Sequence, residues 1–197
     1  MDVFEAMETA RSMRFFRPDP VPDELVEKVL WAATRASNPG NSQGWDFVVV
    51  RDVEQRRRLG EAIAFFAETI DGRPDPGNDT DRRTLAGAKN LVNTLGDVPV
   101  LIVVCGANIY PEGHPRETFM YSAMYAAAQN LLLAARALGL GAAFTTFHGL
   151  AEPQFREILG IPDDRTIGVT KPLGYPARAT GPVTRKPLAE VVHLDRW

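Results

Sequence analysis

From Thr118 to Ala135 the chain reads TFMYSAMYAAAQNLLLAA, with no charged side chain anywhere in the run. A helix of that composition has no face to give to water, so the other elements have to be arranged around it. Its length also raises the possibility of a membrane span. Thr118, Ser122, Gln129, Asn130 and several alanines dilute its hydrophobicity, however, and no second such segment exists. The expectation is therefore the central helix of a soluble protein, in a chain of 197 residues. That length can bury roughly 70% of the unfolded surface.

The flanking sequence supplies the layers. DVFEAMETARSM has helical spacing and ends in RFFRPDPVP, whose prolines forbid continuation. Asp23 opens an amphipathic helix through DELVEKVLWAATRA, and WDFVVVRD reads as a strand. VEQRRRLGEAIAFFAETI reads as one helix whose Arg56 to Arg58 run forms a solvated face, and a further helix runs through RRTLAGAKNLVNTL. VPVLIVVCGA is a buried strand, and its Cys105 is a small core side chain. After the central helix, GLGAAFTTFH reads as a turn plus strand, AEPQFREILG as a short helix and RTIGVTKPLGYPA as another strand. Helices outnumber strands without regular alternation, which favours α+β over a doubly wound sheet. No repeat or linker divides the chain, so residues 1–197 read as one domain. From Pro176 the chain has little amphipathic order yet carries apolar residues to hide, as a tail lying on a partner would.

The chemistry narrows by exclusion. The net charge of −3 gives no basic excess for nucleic acid. The amino terminus lacks the features of a secretory signal, and with one cysteine the expected location is cytoplasmic. His114, His148 and His193 are far apart without metal-ligand spacing and read as surface or capping residues. There is no G-x-S-x-G elbow. In GLGAAF, Gly139 and Gly141 read as a helix cap and a tight turn, because a dinucleotide fingerprint needs the strand before the glycines and the helix after them.

What remains is a set of hydrogen-bond donors with no acid, base or nucleophile. Arg11 and Arg14 stand at i, i+3 around Ser12, Arg185 and Lys186 form a second basic pair, and SNPGNSQGW crowds amides and hydroxyls into a few positions. The pattern suits an anionic cofactor that makes the bonds itself. The alternative is that Arg11 and Arg14 are surface residues paired with Glu5, Glu8 or Asp19.

Four stretches resemble the FMN-dependent nitroreductases, in order and through nearly the whole chain. ARSMRFFRPDPVPDELVEKVLWAATRAS is similar to the family's Arg-x-x-Arg opening and helix, and SNPGNSQGWDFVVV to its Asn-Ser-Gln-Pro-Trp segment and first strand. AAAQNLLLAARALGLGAAF resembles the core helix and the turn beside the flavin; PLGYPA with RKPLAEVVH resembles the carboxyl end.

The resemblance implies a mainly antiparallel central sheet flanked by helices, and a homodimer whose tails pack on the partner subunit. It implies bound FMN, NADH or NADPH as electron donor, and a nitroaromatic, quinone or related acceptor reduced by a ping-pong mechanism. Reductive dehalogenation, flavin fragmentation, or FMN binding without turnover are the rival activities. By the same likeness Arg11, Ser12 and Arg185 hold the phosphate and ribityl end, with Met13 between them and Arg14, which faces the N1 and C2 edge. Ser37, Asn38, Pro39 and Asn41 reach the flavin of the other subunit, and Gln43 either joins them or braces the loop. Backbone groups of Phe144, Thr145 and Thr146 line N5 and O4. No catalytic side chain and no metal is expected. Two departures stand out. Ala10 stands where many members have another Arg, and Gly44 replaces the usual Pro before Trp45, which predicts a looser loop.

Overall fold

The computed structural model describes residues 1–179 and 181–197. Seven α-helices and four strands occur among them: α1 Val3–Thr9, α2 Asp23–Ala33, β1 Trp45–Val50, α3 Val53–Ile63, α4 Phe66–Asp71, α5 Asp79–Thr94, β2 Val100–Gly106, α6 Glu117–Ala137, β3 Gly141–Ala142, α7 Glu152–Leu159 and β4 Thr166–Gly174.

The strands form one antiparallel sheet in the order β1-β2-β4-β3. β2 is buried along its whole length, and its alternation divides the core. Val100 and Ile102 point into the cluster made with α2 and α6, whereas Leu101, Val103 and Cys105 point into the one made with α3, α5 and α7. The result is helix, sheet, helix in three layers. The uncharged run is α6, buried through Met120, Met124, Ala127, Ala128, Leu131 and Ala135. Among the described residues no helix is long and apolar enough to cross a membrane. At its end Gly139 takes φ +77, while Gly139 N–H donates to Arg136 O (3.1 Å) and Leu140 N–H to Ala135 O (2.8 Å). That is a Schellman stop, and it turns the chain directly into β3.

The structure corrects the sequence reading in several places. α1 stops at Thr9, and Arg11 to Phe16 run extended instead of helical: Met13 N–H donates to Ala142 O (2.9 Å), and Ser12 bridges Ala142 in parallel. The open edge of the two-residue β3 recruits this segment, so Arg11 and Arg14 do not share a helix face. Gly141 makes the approach feasible, since a Cβ there would lie 2.8 Å from Met13 Cγ. The single helix expected after β1 is two, α3 and α4, broken at Ala64 and Phe65. Of the expected solvated arginines, Arg57 does pair at the surface with Glu54 and Glu61. Arg56 instead donates to Gly96 O (3.1 Å) and Val98 O (2.6 Å), closing the turn before β2.

His148 is buried rather than on the surface. Its Nε2 is 3.1 Å from Ile167 O, and Nδ1 is 3.2 Å from Thr170 Oγ1. A carbonyl only accepts, so Nε2 carries the proton and Nδ1 accepts from the hydroxyl. Lys171, on β4, is 0% exposed, and among the described residues its Nζ has no hydrogen-bond partner. It rests 4.7 Å from the centroid of the Phe144 ring.

Candidate functional site

A cavity of about 420 Å³ opens where the extended Arg11–Phe15 segment, α5 and the start of the carboxyl-terminal tail meet. Arg11, Ser12, Met13 and Arg14 line one wall, α5 supplies Thr80, Arg83, Thr84 and Gly87, and the tail supplies Arg178 and Thr184 among others. The tail is tied down on both sides: Ala177 N–H donates to Phe15 O and Val183 N–H to Glu8 O, each at 2.9 Å.

Four guanidinium groups therefore share one cavity, and no carboxylate lines it. Several arginines elsewhere are paired with carboxylates: Arg17 with Asp19, Arg51 with Asp23, Arg82 with Asp75 and Asp79, Arg156 with Glu152, Arg165 with Asp46. None of the four cavity arginines has such a partner among the described residues. The pairing of Arg11 or Arg14 with Glu5, Glu8 or Asp19, allowed by the sequence, does not occur. Burial, and then the charge of Arg11, lowers the pKa of Arg14 from its usual value. Uncompensated like charges gathered this closely destabilise the folded chain unless an anion joins them. Arg14 is also held in place: Gly87 faces its side chain, where a Cβ would meet Arg14 Cδ at 3.1 Å, and Asn90 Nδ2 donates to Arg14 O (2.7 Å).

The floor of the cavity connects to the 144–146 segment, because Phe144 N–H donates to Ser12 Oγ (3.3 Å). Phe144, Thr145 and Thr146 are not themselves in its lining. The expectation that their main-chain N–H groups face a cofactor narrows to one. Phe144 N–H is engaged with Ser12 and Thr145 N–H with Thr170 O (3.2 Å), which leaves Thr146, exposed and with no internal acceptor for its N–H among the described residues.

Ser37, Asn38, Pro39, Asn41 and Gln43 lie away from this cavity, in the loop before β1. Asn38 Oδ1 accepts from Gln43 N–H (2.8 Å), so Asn38 braces the loop and Gln43 lends its backbone, while the side chains of Ser37, Asn41 and Gln43 are exposed. Gly40, Asn41 and Gln43 all have positive φ, at 60°, 49° and 48°. Such strain is kept where the surroundings fix it. The loop is not loosened by Gly44, whose carbonyl accepts from Ala107 N–H (2.8 Å) and where a Cβ would meet Ala107 O at 3.0 Å. Arg185 is exposed outside the cavity and, among the described residues, bonded only to Thr184 O (2.8 Å). Ala10, in place of another cation, is buried in the α2–α6 core. Among the described residues no group of His, Cys, Asp and Glu is placed to hold a metal.

Sequence reasoning missed Arg83 and Arg178. Arg178 lies in the tail, with its guanidinium carbon 3.3 Å from the centroid of the Phe15 ring, and Arg83 sits in a run of charges on α5. Only the fold brings either to Arg11.

The nitroreductase family profile matches residues 7–175. The chain belongs to the nitroreductase family. A Thermus thermophilus relative named NADH dehydrogenase is 31% identical, over 98% of this chain and 95% of its own length. Iodotyrosine deiodinase 1 of Rattus norvegicus is 29% identical, over 97% of this chain and 68% of its own length. A nitroreductase of Desulfitobacterium hafniense with bound FMN superposes with a TM-score of 0.75 at 21% identity, over 99% of this chain and 100% of that one. The fold shared with this neighbour is the three-layer arrangement described above.

Proposed function

We propose that this nitroreductase-family chain, acting as one domain over residues 1–197, is an FMN-dependent oxidoreductase. In this reading it takes electrons from NADH or NADPH and delivers them to a nitroaromatic, quinone or related acceptor. The observation that carries the reading is the cavity of four guanidinium groups without a carboxylate. Its donor set fits FMN: a phosphate suits the Arg11, Ser12 and Arg178 corner, with Arg185 within the same tail, and Arg14 is a fixed cation for the pyrimidine edge. FMN bound there would supply two-electron transfer between a nicotinamide and the acceptor, with Arg14 beside the edge where negative charge would collect.

The chain's own residues bind, orient and exclude. Ser12 Oγ holds Phe144 N–H and so fixes the 144–146 segment against the cofactor wall. Thr146 N–H is the free main-chain donor there. Arg14 is preorganised by Gly87 and Asn90, so little side-chain entropy is lost when charge develops beside it. No acid or base near the cavity is needed for this division of labour, and no carboxylate lines it.

A homodimer completes the reading. The tail exposes Leu188, Val191, Val192, Leu194 and Trp197, and the 37–43 loop exposes the side chains of Ser37, Asn41 and Gln43 away from the arginine cavity. A second copy supplies both with a partner. The chain offers one open face, so donor and acceptor use it in turn. Anaerobic NADH or NADPH added to FMN-loaded protein should bleach the flavin absorbance, and a nitroaromatic should restore it. Steady-state rates should give parallel double-reciprocal lines. A flavin that neither nicotinamide reduces contradicts the activity, and intersecting lines contradict the shared face.

The likeness to a deiodinase supports reductive dehalogenation as a second reading. Release of iodide from 3-iodotyrosine by the reduced protein tests it, and no release removes it.

A further inference from the structure

The cavity holds more positive charge than the cofactor needs. A phosphomonoester brings about two negative charges at neutral pH, and the pyrimidine edge adds at most one. Four unpaired arginines line the cavity, so one is left over.

Position identifies it. Arg11 flanks Ser12 on the extended segment, Arg178 stacks on Phe15 of the same segment, and Arg14 is pinned against Gly87. Arg83 comes from the other wall, one turn of α5 before Gly87, about 6 Å along the axis. Its Nε donates to Asp79 O (3.1 Å), which steadies the stem, and its two terminal nitrogens have no partner among the described residues. The nearby carboxylate of Asp79 is taken by Arg82. Thr80, at i−3 from Arg83, also lines the cavity, and its hydroxyl has no internal partner among the described residues. Thr84 already gives its proton to Thr80 O (3.0 Å) and can only accept. A guanidinium with two free nitrogens beside a free hydroxyl matches a planar carboxylate.

We propose that Arg83 and Thr80 form a carboxylate subsite for the electron acceptor, separate from the contacts that hold the cofactor, so that the preferred acceptor is an organic acid. The proposal rests on the FMN reading above and adds to it the chemical class of the substrate. A nucleotide phosphate from the donor would offer related chemistry, and the two sources separate in one experiment.

FMN-loaded wild type and Arg83→Met are titrated with benzoate, an unreactive carboxylate, by the perturbation of the flavin spectrum. They are then assayed with 4-nitrobenzoate, its neutral counterpart 4-nitrobenzyl alcohol, NADH and NADPH. Loss of one charge-assisted contact at a partly exposed site should weaken benzoate about 10-fold. The KM for 4-nitrobenzoate should rise by a similar factor, well beyond any change for the alcohol, and FMN affinity should change by a smaller factor than benzoate affinity. Equal effects on acid and alcohol, a matching loss of FMN affinity, or a change confined to NADH or NADPH would each overturn the subsite. Wild type that takes up no FMN would count against the cofactor reading instead. Calorimetric titration of both proteins with benzoate then decides the subsite directly, and equal affinities overturn it.

Discussion

Single residues divide into those a reader of the sequence can find and those only the fold can assemble. Arg11, Ser12, Met13 and Arg14 were legible because they are contiguous, and a contiguous set stays together whatever its backbone does. All four line one cavity even though the expected helix is an extended segment. Arg83 and Arg178 were not legible, since a lone arginine in a charged helix or a tail has no pattern to mark it. Lys171 was equally hidden: TKPLG reads as an ordinary strand end, yet the amine is fully buried and has no hydrogen-bond partner among the described residues. Burial alone pushes its pKa down from 10.5 to about 7. Between those values the unfolded chain holds a proton that the folded chain does not, so this group makes stability rise with pH across that window. Lys171→Met should stabilise the protein at pH 7 by on the order of 2 kcal/mol, and the gain should shrink at pH 9.5. Urea unfolding at the two pH values checks this; no gain, or a gain that grows with pH, would mean that the amine finds a partner in solution.

At the scale of elements, α5 is the part of the site whose sequence says least and whose packing says most. Gly87 weakens a helix by about 1 kcal/mol relative to Ala, but it gives Arg14 room. Gly87→Ala should leave thermal stability equal or raised while FMN binds several-fold more weakly, because Arg14 must shift by a few tenths of an ångström. Thermal melts of apoprotein and FMN titration read the two effects separately. A fall in both together would make Gly87 a packing residue only. On the same side of the sheet as α5, His148 packs near Phe155 and joins the turn after β3 to β4 through Ile167 and Thr170. Burial, partly offset by the Ile167 hydrogen bond, lowers its pKa from 6.5. Below about that pH the unfolded imidazole takes up a proton that the buried ring resists, so stability is lost on acidification. Urea midpoints from pH 8 to 5 should fall in wild type, and His148→Gln should flatten the part of that fall nearest pH 6. An unchanged profile would show that His148 does not titrate with unfolding. The helices and the strands of this sheet were readable from periodicity. The end of α1 and the break between α3 and α4 were not, because the edge of β3 overrides local propensity in the first case, while in the second the run offers no proline to mark a stop.

For the whole molecule, the α+β class was legible because helices outnumber strands without regular alternation, whereas the expectation that the uncharged helix has no face for water is corrected: α6 buries one side, and Ser122, Tyr125 and Gln129 on the other are exposed. What lies beyond one subunit is carried by the tail, where Leu194 is 83% and Trp197 100% exposed. Light scattering should find a dimer, with an interface of roughly 2,000 Å² or more. A monomer that still retains FMN would contradict the role proposed for Ser37 to Gln43 across the subunit boundary. The central claim is narrower: Arg11, with Ser12 and Arg178, holds a cofactor phosphate. Riboflavin has the same ring and ribityl chain as FMN without that phosphate, so titrating apoprotein with both, in wild type and Arg11→Ala, isolates it. Wild type should favour FMN over riboflavin, and Arg11→Ala should lose about 10- to 150-fold in FMN affinity while riboflavin affinity barely moves. Equal affinity of wild type for the two ligands, or an Arg11→Ala loss shared by both, would contradict the account.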